Sequence, residues 1–292
     1  MADCHRLLVI GVPRDESELA ADFLWRHGAQ AVEELPADES GGMTFSGVVR
    51  LSTDFGTDPL GAYHSAIAND PHVGHLANGW SVDVREVDAL VADTWREFAV
   101  PIAIENILIV PTWKPQVAAT GNNIAIFIDP GGAFGMGDHP TTRATLRLAL
   151  RHARTNSVTS VLDLGCGSGV LSIALVLQTE TTATAVDIAH PAIQATRHNA
   201  ETNGVAERIT SLHGDVRVTT GTYDLVLANI LAPVLLSDAQ EIAARVSPGG
   251  TLILSGFNDT RSNDIAVAYE ALGFRVVGEE SLEGWLALQL QR

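Results

Sequence analysis

The sequence predicts an α/β protein: a mostly parallel sheet with helices on both faces, preceded by a small α+β domain. Three observations lead there. From Thr141 onward helical and strand-like segments alternate; residues 161–169 read as a buried strand that breaks into a glycine turn and opens a helix; and the first 88 residues follow the order β-α-β-β-α-β.

In the first part, residues 7–12 form an apolar strand. Residues 17–27 follow as a helix, with Asp15 or Ser17 as its cap and Leu19, Phe23 and Leu24 on one side. Residues 31–35 and 44–52 are strand-like, with a turn over 36–42 between them. A second helix spans 59–68, and residues 81–87 alternate Val82, Val84 and Val87 with polar neighbours. This is the split βαβ, ferredoxin-like order, assigned to residues 1–88. Residues 89–106 read as a helical linker, with helix over 89–98, and the second domain occupies 107–292. Within it 107–111 and 124–129 are strands separated by a turn at Trp113, Lys114 and Pro115. Then come a helix to residue 153, strand 159–164, helix 170–178, strand 183–187, helix 191–203 and strand 223–228. Helix 232–246, strand 251–255, helix 261–272 and two last strands near 274–279 and 285–290 complete the chain. Ligands of such sheets sit at the carboxyl ends of the strands, where Gly165, Asp187 and Asn229 all fall.

With 292 residues, 46% of them apolar and 18% charged, the chain can fold as two soluble domains. No apolar run reaches the ~18–20 residues of a membrane span, because Pro101, Glu105 and Pro111 interrupt the richest stretch. Residues 1–6 show no basic segment followed by an apolar one, so no export signal is expected. Cys4 and Cys166 are the only cysteines, which implies no disulfide framework and a cytoplasmic location. The net charge of −17 is uneven: residues 1–100 carry 17 acidic side chains against 6 arginines. Such a segment repels nucleic acid and attracts a basic partner, or else simply keeps the protein soluble.

A side chain at Gly165 or Gly167 would keep the backbone from approaching a ligand, and glycine tolerates the positive φ of a tight turn. The following helix offers free N–H groups suited to an anion. Asp187 closes the next strand 22 residues after Gly165, where a carboxylate takes the hydroxyls of a ribose. A dinucleotide fingerprint needs glycine at 170, and this chain has Val170. The spacing is G-x-G-x-G with Asp163 two residues ahead of the first glycine, read here as the S-adenosyl-L-methionine variant.

Other residues leave two readings open. The threonines of F-G-M-G-D-H-P-T-T (134–142) point a hydroxyl at a ligand or merely cap the helix, and its two glycines make the loop flexible enough to fold over that ligand. His139 is a general base or a structural turn residue. Asn229 accepts a hydrogen bond from a nucleophilic amine, aiming its lone pair at a methyl group, or caps the next helix. Asp215 meets an adenine amino group or does not. His72 and His75 have H-x-x-H spacing without a third ligand nearby, so no metal is assigned. Arg143, Arg147, Arg151 and Arg154 read as a solvated helix face.

With these pieces in place, the chain resembles the bacterial ribosomal protein methyltransferase family PrmA. The matching residues are D-P-G-G-A-F-G-x-G-x-H-P-T-T, L-D-L-G-C-G-S-G, A-V-D-I with N-A-E-T-N-G-V downstream, A-N-I-L-A, and S-P-G-G-T-L-I-L-S-G. They run from about residue 90 to the C-terminus, and residues 1–88 agree in layout with that family's substrate-recognition domain. The resemblance implies a Rossmann-like, seven-stranded class I methyltransferase domain that uses S-adenosyl-L-methionine. It implies methylation of lysine and/or N-terminal amines of the large-subunit protein L11, without direct nucleic-acid or membrane binding. The alternative is an enzyme of the same fold acting on another protein lysine or a small molecule. Carried over by position, the cofactor contacts fall on Thr142, Gly165, Asp187 and Asn229, with Gly167 in the same turn and Asn229 also catalytic. The family's loop usually reads G-T-G-T-H, whereas Met136 and Asp138 stand here in place of both threonines.

Overall fold

In the second part of the chain, the strands over residues 160–164 and 225–228 are apolar almost throughout, as the centre of a sheet covered on both faces requires. The computed structural model describes residues 5–13, 16–27, 29–35, 43–50, 58–70, 73–87, 95–114, 121, 123–131 and 133–292. The chain divides into two compact units, Met1–Ala99 and Val100–Arg292. The expected Asp15 cap, the 36–42 turn, His72, Cys4 and residues 88–94 of the expected linker helix lie outside the described residues.

In the first unit, strands β1 (His5–Val12), β2 (Ala29–Leu35), β3 (Met43–Arg50) and β4 (Ser81–Val87) form an antiparallel sheet in the order β2-β3-β1-β4. Helices α1 (Ser17–Arg26) and α2 (Pro59–Asn69) separate them, so the order is that of the split βαβ arrangement. Alternate residues Leu8, Ile10 and Val12 of β1 enter a core with Phe23, Leu24, Tyr63, Ile67 and Trp80. Asp58 caps α2 by accepting from the Gly61 amide at 3.0 Å, with Pro59 in the first turn. Arg26 pairs with buried Asp70 and with Asp22.

The second unit opens with β5 (Ile102–Ile104), β6 (Ile107–Pro111) and β7 (Ile124–Ile128); β5 is antiparallel and β7 parallel to β6. The helical linker expected over 89–106 therefore ends sooner, because Ile102 and Ile104 pair with Ile109 and Ile107 across a turn at Glu105, whose φ is 53°. Next come α3 (Pro140–Thr155), β8 (Ser160–Leu164), α4 (Val170–Gln178), β9 (Thr182–Asp187), α5 (His190–Thr202), β10 (Ile209–His213) and β11 (Tyr223–Asn229). The chain ends with α6 (Ala232–Ser237), α7 (Ala239–Ala244), β12 (Val246–Asn258), α8 (Ser262–Glu270), β13 (Arg275–Leu282) and β14 (Trp285–Gln291). The seven strands β8–β14 form one sheet in the order β10-β9-β8-β11-β12-β14-β13, parallel except for β14, which is antiparallel to both neighbours. Strand order reverses at β8, so the carboxyl ends of β8 and β11 border the crevice where such sheets hold ligands.

The helix expected over 232–246 is two helices. Asp238 leaves helical geometry between them, and its carboxylate takes the Arg217 guanidinium at 2.8 Å. The arginines expected to form a solvated face are a ladder of ion pairs instead. Arg143 meets Glu283, Arg147 and Arg151 share Glu280, and Arg151 and Arg154 share Glu105, at 2.9–3.1 Å. They tie α3 to the β13–β14 hairpin and to the β5–β6 turn, each pair being worth at most about 1 kcal/mol at this exposure.

Candidate active site

The turn after β8 is set by backbone sterics. Gly165 and Gly167 have φ of 70° and 53°, and a Cβ would lie 2.2 Å from the Ile230 side chain at the first and 2.4 Å from the Phe134 carbonyl oxygen at the second. The positive φ expected at both glycines is present, and neighbouring loops of the protein itself also exclude a side chain there. A Cβ at Gly135 or Gly137 in the loop would likewise meet Ser168 Oγ or Ile109. The turn amides of Gly165 and Cys166 both donate to the Val186 carbonyl, at 2.8 and 3.1 Å. Gly169 stands before α4 without a side-chain cap, which leaves the N–H groups of that helix start for an acceptor.

Two of the residues singled out from sequence, Asp187 and Asn229, lie against this turn. Asp187, at the end of β9, accepts from the Gly167 amide at 3.0 Å and from the Ala189 amide at 2.8 Å. Two backbone donors aim this carboxylate at the end of β9. Asn229 ends β11, and its backbone oxygen lies 3.6 Å from the place of a Cβ on Gly165. Its side chain makes no hydrogen bond with the described residues. The helix beyond it starts at Leu231 with no side-chain cap, so the capping alternative for Asn229 does not hold. Thr142 sits in the first turn of α3, buried, with its Oγ1 lacking a partner among the described residues.

The loop 134–139 is fastened to the glycine turn. Ser168 donates its amide to Phe134 O at 2.8 Å and its hydroxyl to Gly135 O at 2.5 Å. His139 is the helix cap: its Nδ1 accepts from the Thr141 amide at 3.3 Å and meets Thr141 Oγ1 at 2.8 Å, while its ring packs against Phe134 and Trp285. Burial pulls its pKa below the ordinary imidazole value, so at neutral pH it is an uncharged structural residue. Met136 is half-buried and Asp138 exposed. Asp215 accepts from the Arg217 amide at 2.8 Å and pairs with its guanidinium at 3.2 Å. Among the described residues no group of three metal-ligating side chains is assembled.

Asp163 has Leu227 and Ala185 as register neighbours and is fully buried; Ser172 Oγ donates to its Oδ2 at 2.7 Å, and Oδ1 has no partner among the described residues. Burial pushes its pKa up to about 6 from 3.8. The folded protein therefore holds this proton up to about pH 6, whereas the unfolded chain releases it near pH 4, and the group's stabilisation is lost as pH rises through that window. Asp163→Asn, which stays neutral, is expected to unfold at a higher temperature than the parent at pH 7.5 and to lack the decline between pH 4 and 6. The gap corresponds to at most about 3 kcal/mol. Parallel melting curves across that range would contradict the assignment.

Sequence reasoning missed Ser168, Thr196 and Asn199. Thr196 Oγ1 donates to Gly167 O at 2.9 Å, and Asn199 Nδ2 donates to Ser168 O at 2.9 Å. For Thr196 and Asn199 the available signal was two polar residues among the small apolar ones on the buried face of an amphipathic helix. Cys166 lies 3.3 Å from the Thr196 hydroxyl, and burial pushes its thiol well above the ordinary range, so it is not a nucleophile.

An orphaned Thr142 hydroxyl, an orphaned Asp163 oxygen, an uncapped helix start and an aimed carboxylate fit a small polar ligand with an anionic end and vicinal hydroxyls. The comparisons agree. The family model "Ribosomal protein L11 methyltransferase (PrmA)" matches residues 8–292. The protein named ribosomal protein L11 methyltransferase of Ralstonia nicotianae is 37% identical over 307 residues, covering 97% of each chain. That of an Exiguobacterium species is 36% identical over 210 residues, 71% of this chain and 66% of the relative. The crystal structure of ribosomal protein L11 methylase from Lactobacillus delbrueckii subsp. bulgaricus superposes with a TM-score of 0.61 at 28% identity, covering 66% of this chain and 99% of that one. The chain therefore belongs to the ribosomal protein L11 methyltransferase family, whose methyl donor is S-adenosyl-L-methionine.

Proposed function

We propose that this chain methylates amines of ribosomal protein L11, lysine side chains and/or the N-terminal amine, in the cytoplasm. The observation that carries the reading is Asn229: a neutral acceptor at the carboxyl end of β11, without a side-chain hydrogen bond among the described residues, beside the Gly165 turn. When bound, S-adenosyl-L-methionine supplies a methyl group on a positively charged sulfonium.

The chain's own residues hold both partners. Asp187 takes ribose hydroxyls, the backbone at Gly165 and Gly167 and the start of α4 receive the methionyl end, and Thr142 and Asn229 complete the contacts. Asn229 Oδ1 accepts one N–H of the incoming amine and so turns the nitrogen lone pair toward the methyl carbon. The amine arrives as an ammonium of pKa ~10.4 and must lose a proton first. Desolvation beside Ile230 and the positive sulfonium lower that pKa, and His139, engaged as a cap, takes no part.

The acidic first domain, residues 1–88, selects the basic ribosomal protein by charge, without direct contact to nucleic acid or membrane. No helix among the described residues is long and apolar enough to cross a membrane. The test is transfer of labelled methyl groups from S-adenosyl-L-methionine to purified L11 by the full-length chain. Label on L11 amines is expected. Label only on another protein, or on a small molecule of a cell extract, would replace the substrate with that acceptor.

A further inference from the structure

Helix α5 presents Thr196, Asn199 and Asn203 on the side facing β7 and the glycine turn. Asn199 lies inside the helix, a poor place for an asparagine since its amide competes for backbone groups, and Asn203 is the residue that caps the helix end. Here the amides are used elsewhere. Asn203 Oδ1 accepts from Phe127 N at 2.8 Å and its Nδ2 donates to Phe127 O at 2.7 Å. Asn199 repeats the pattern on Asp129, at 2.9 and 2.8 Å. Four helical residues rise about 6 Å, and two strand residues advance about 6.6 Å. The two amides thus stand in for a neighbouring strand along the free edge of β7 and its extension.

The two differ in one respect. Asn203 binds the strand and its own helix, whereas the second Nδ2 hydrogen of Asn199 reaches Ser168 O of the glycine turn at 2.9 Å. Thr196 adds the bond to Gly167 O. The segment at Asp129 leads directly into the 134–139 loop, and that loop is itself bonded to Ser168. Asn199 is therefore the side chain through which the loop's entry and the turn are joined.

We propose that Asn199 is a positioning residue for methyl transfer: its carboxamide locks the backbone at Asp129 to the glycine turn at Ser168, which itself holds Phe134 and Gly135, so that ordering the turn by the cofactor also orders Asp129. The inference rests on the cofactor occupying the turn. Asn203 serves as its internal control, since it makes the same kind of strand contact without the turn.

In the full-length protein, Asn199→Ala, which removes the two bonds to Asp129 and the one to Ser168 O, is expected to raise the dissociation constant for S-adenosylhomocysteine about tenfold or more. Asn203→Ala is expected to lower the melting temperature comparably while changing that constant by less than about twofold. Asn199→Asp, which keeps one acceptor but replaces the donating amide with a carboxylate oxygen facing the Asp129 and Ser168 carbonyl oxygens, is expected to be worse than alanine. Equal affinities for Asn199→Ala and Asn203→Ala would overturn the proposal. Asp187→Asn separates this from failure of the site itself: if that variant binds normally, the cofactor lies elsewhere. Should Asn199→Ala not fold, hydrogen exchange of the unmutated protein decides. S-adenosylhomocysteine is then expected to slow the Asp129 and Ser168 amides by the same factor and to leave the Phe127 amide unchanged, and unequal slowing of the first two would refute the coupling.

Discussion

Asn229→Ala is expected to lower kcat about a hundredfold, the usual consequence of losing the group that orients a nucleophile. The dissociation constant for S-adenosylhomocysteine is expected to rise by no more than about tenfold, the worth of one neutral hydrogen bond. The split follows from geometry: the Asn229 carboxamide makes no hydrogen bond with the described residues, so its removal disturbs the reacting amine more than the fold. Its neutrality matters as well. A carboxylate at this place would hold the substrate as an ammonium, which has no lone pair, so Asn229→Asp is expected to shift the optimum of the pH–rate profile upward and to depress the rate at pH 7. Unaltered turnover in Asn229→Ala at saturating cofactor would remove the residue from the mechanism.

Gly167→Ala carries the second large effect, on stability and cofactor binding together. The left-handed backbone, φ 53°, costs an alanine about 1–2 kcal/mol. The added Cβ, 2.4 Å from the Phe134 carbonyl oxygen, must also push away a loop held by both Ser168 bonds, for about 1–3 kcal/mol more. Gly204→Ala isolates the first contribution, since φ is 68° there and no atom lies within 4 Å of the new Cβ. Urea denaturation of the two variants is expected to differ by the second contribution, and Gly167→Ala alone is expected to lose measurable S-adenosylhomocysteine binding. Equal destabilisation would mean that the loop yields without cost.

Much of the catalytic domain is readable along the chain. The buried strand at Val161, the turn at Gly165, the helix at Val170 and the acid at Asp187 lie close together in sequence, and each rests on apolar runs or glycine φ that neighbours determine. Asn229 is likewise marked by its place at the end of an apolar strand. The linker boundary was less legible because Ile102–Ile104 is a strand only by virtue of the β6 it pairs with. The break at Asp238 depends on Arg217, on a separate segment.

Local pattern alone thus determined most of the order of elements, the position of the glycine turn and the family, because backbone sterics and side-chain periodicity act between residues close in sequence. Tertiary structure decided which polar groups are spent. Asn199 finds Asp129 70 residues away, Arg143 finds Glu283 at 140, and Asp163 acquires its raised pKa only when strands β9 and β11 close around it. Hydrogen bonds and desolvation depend on what the fold brings near, and no spacing along the chain encodes it.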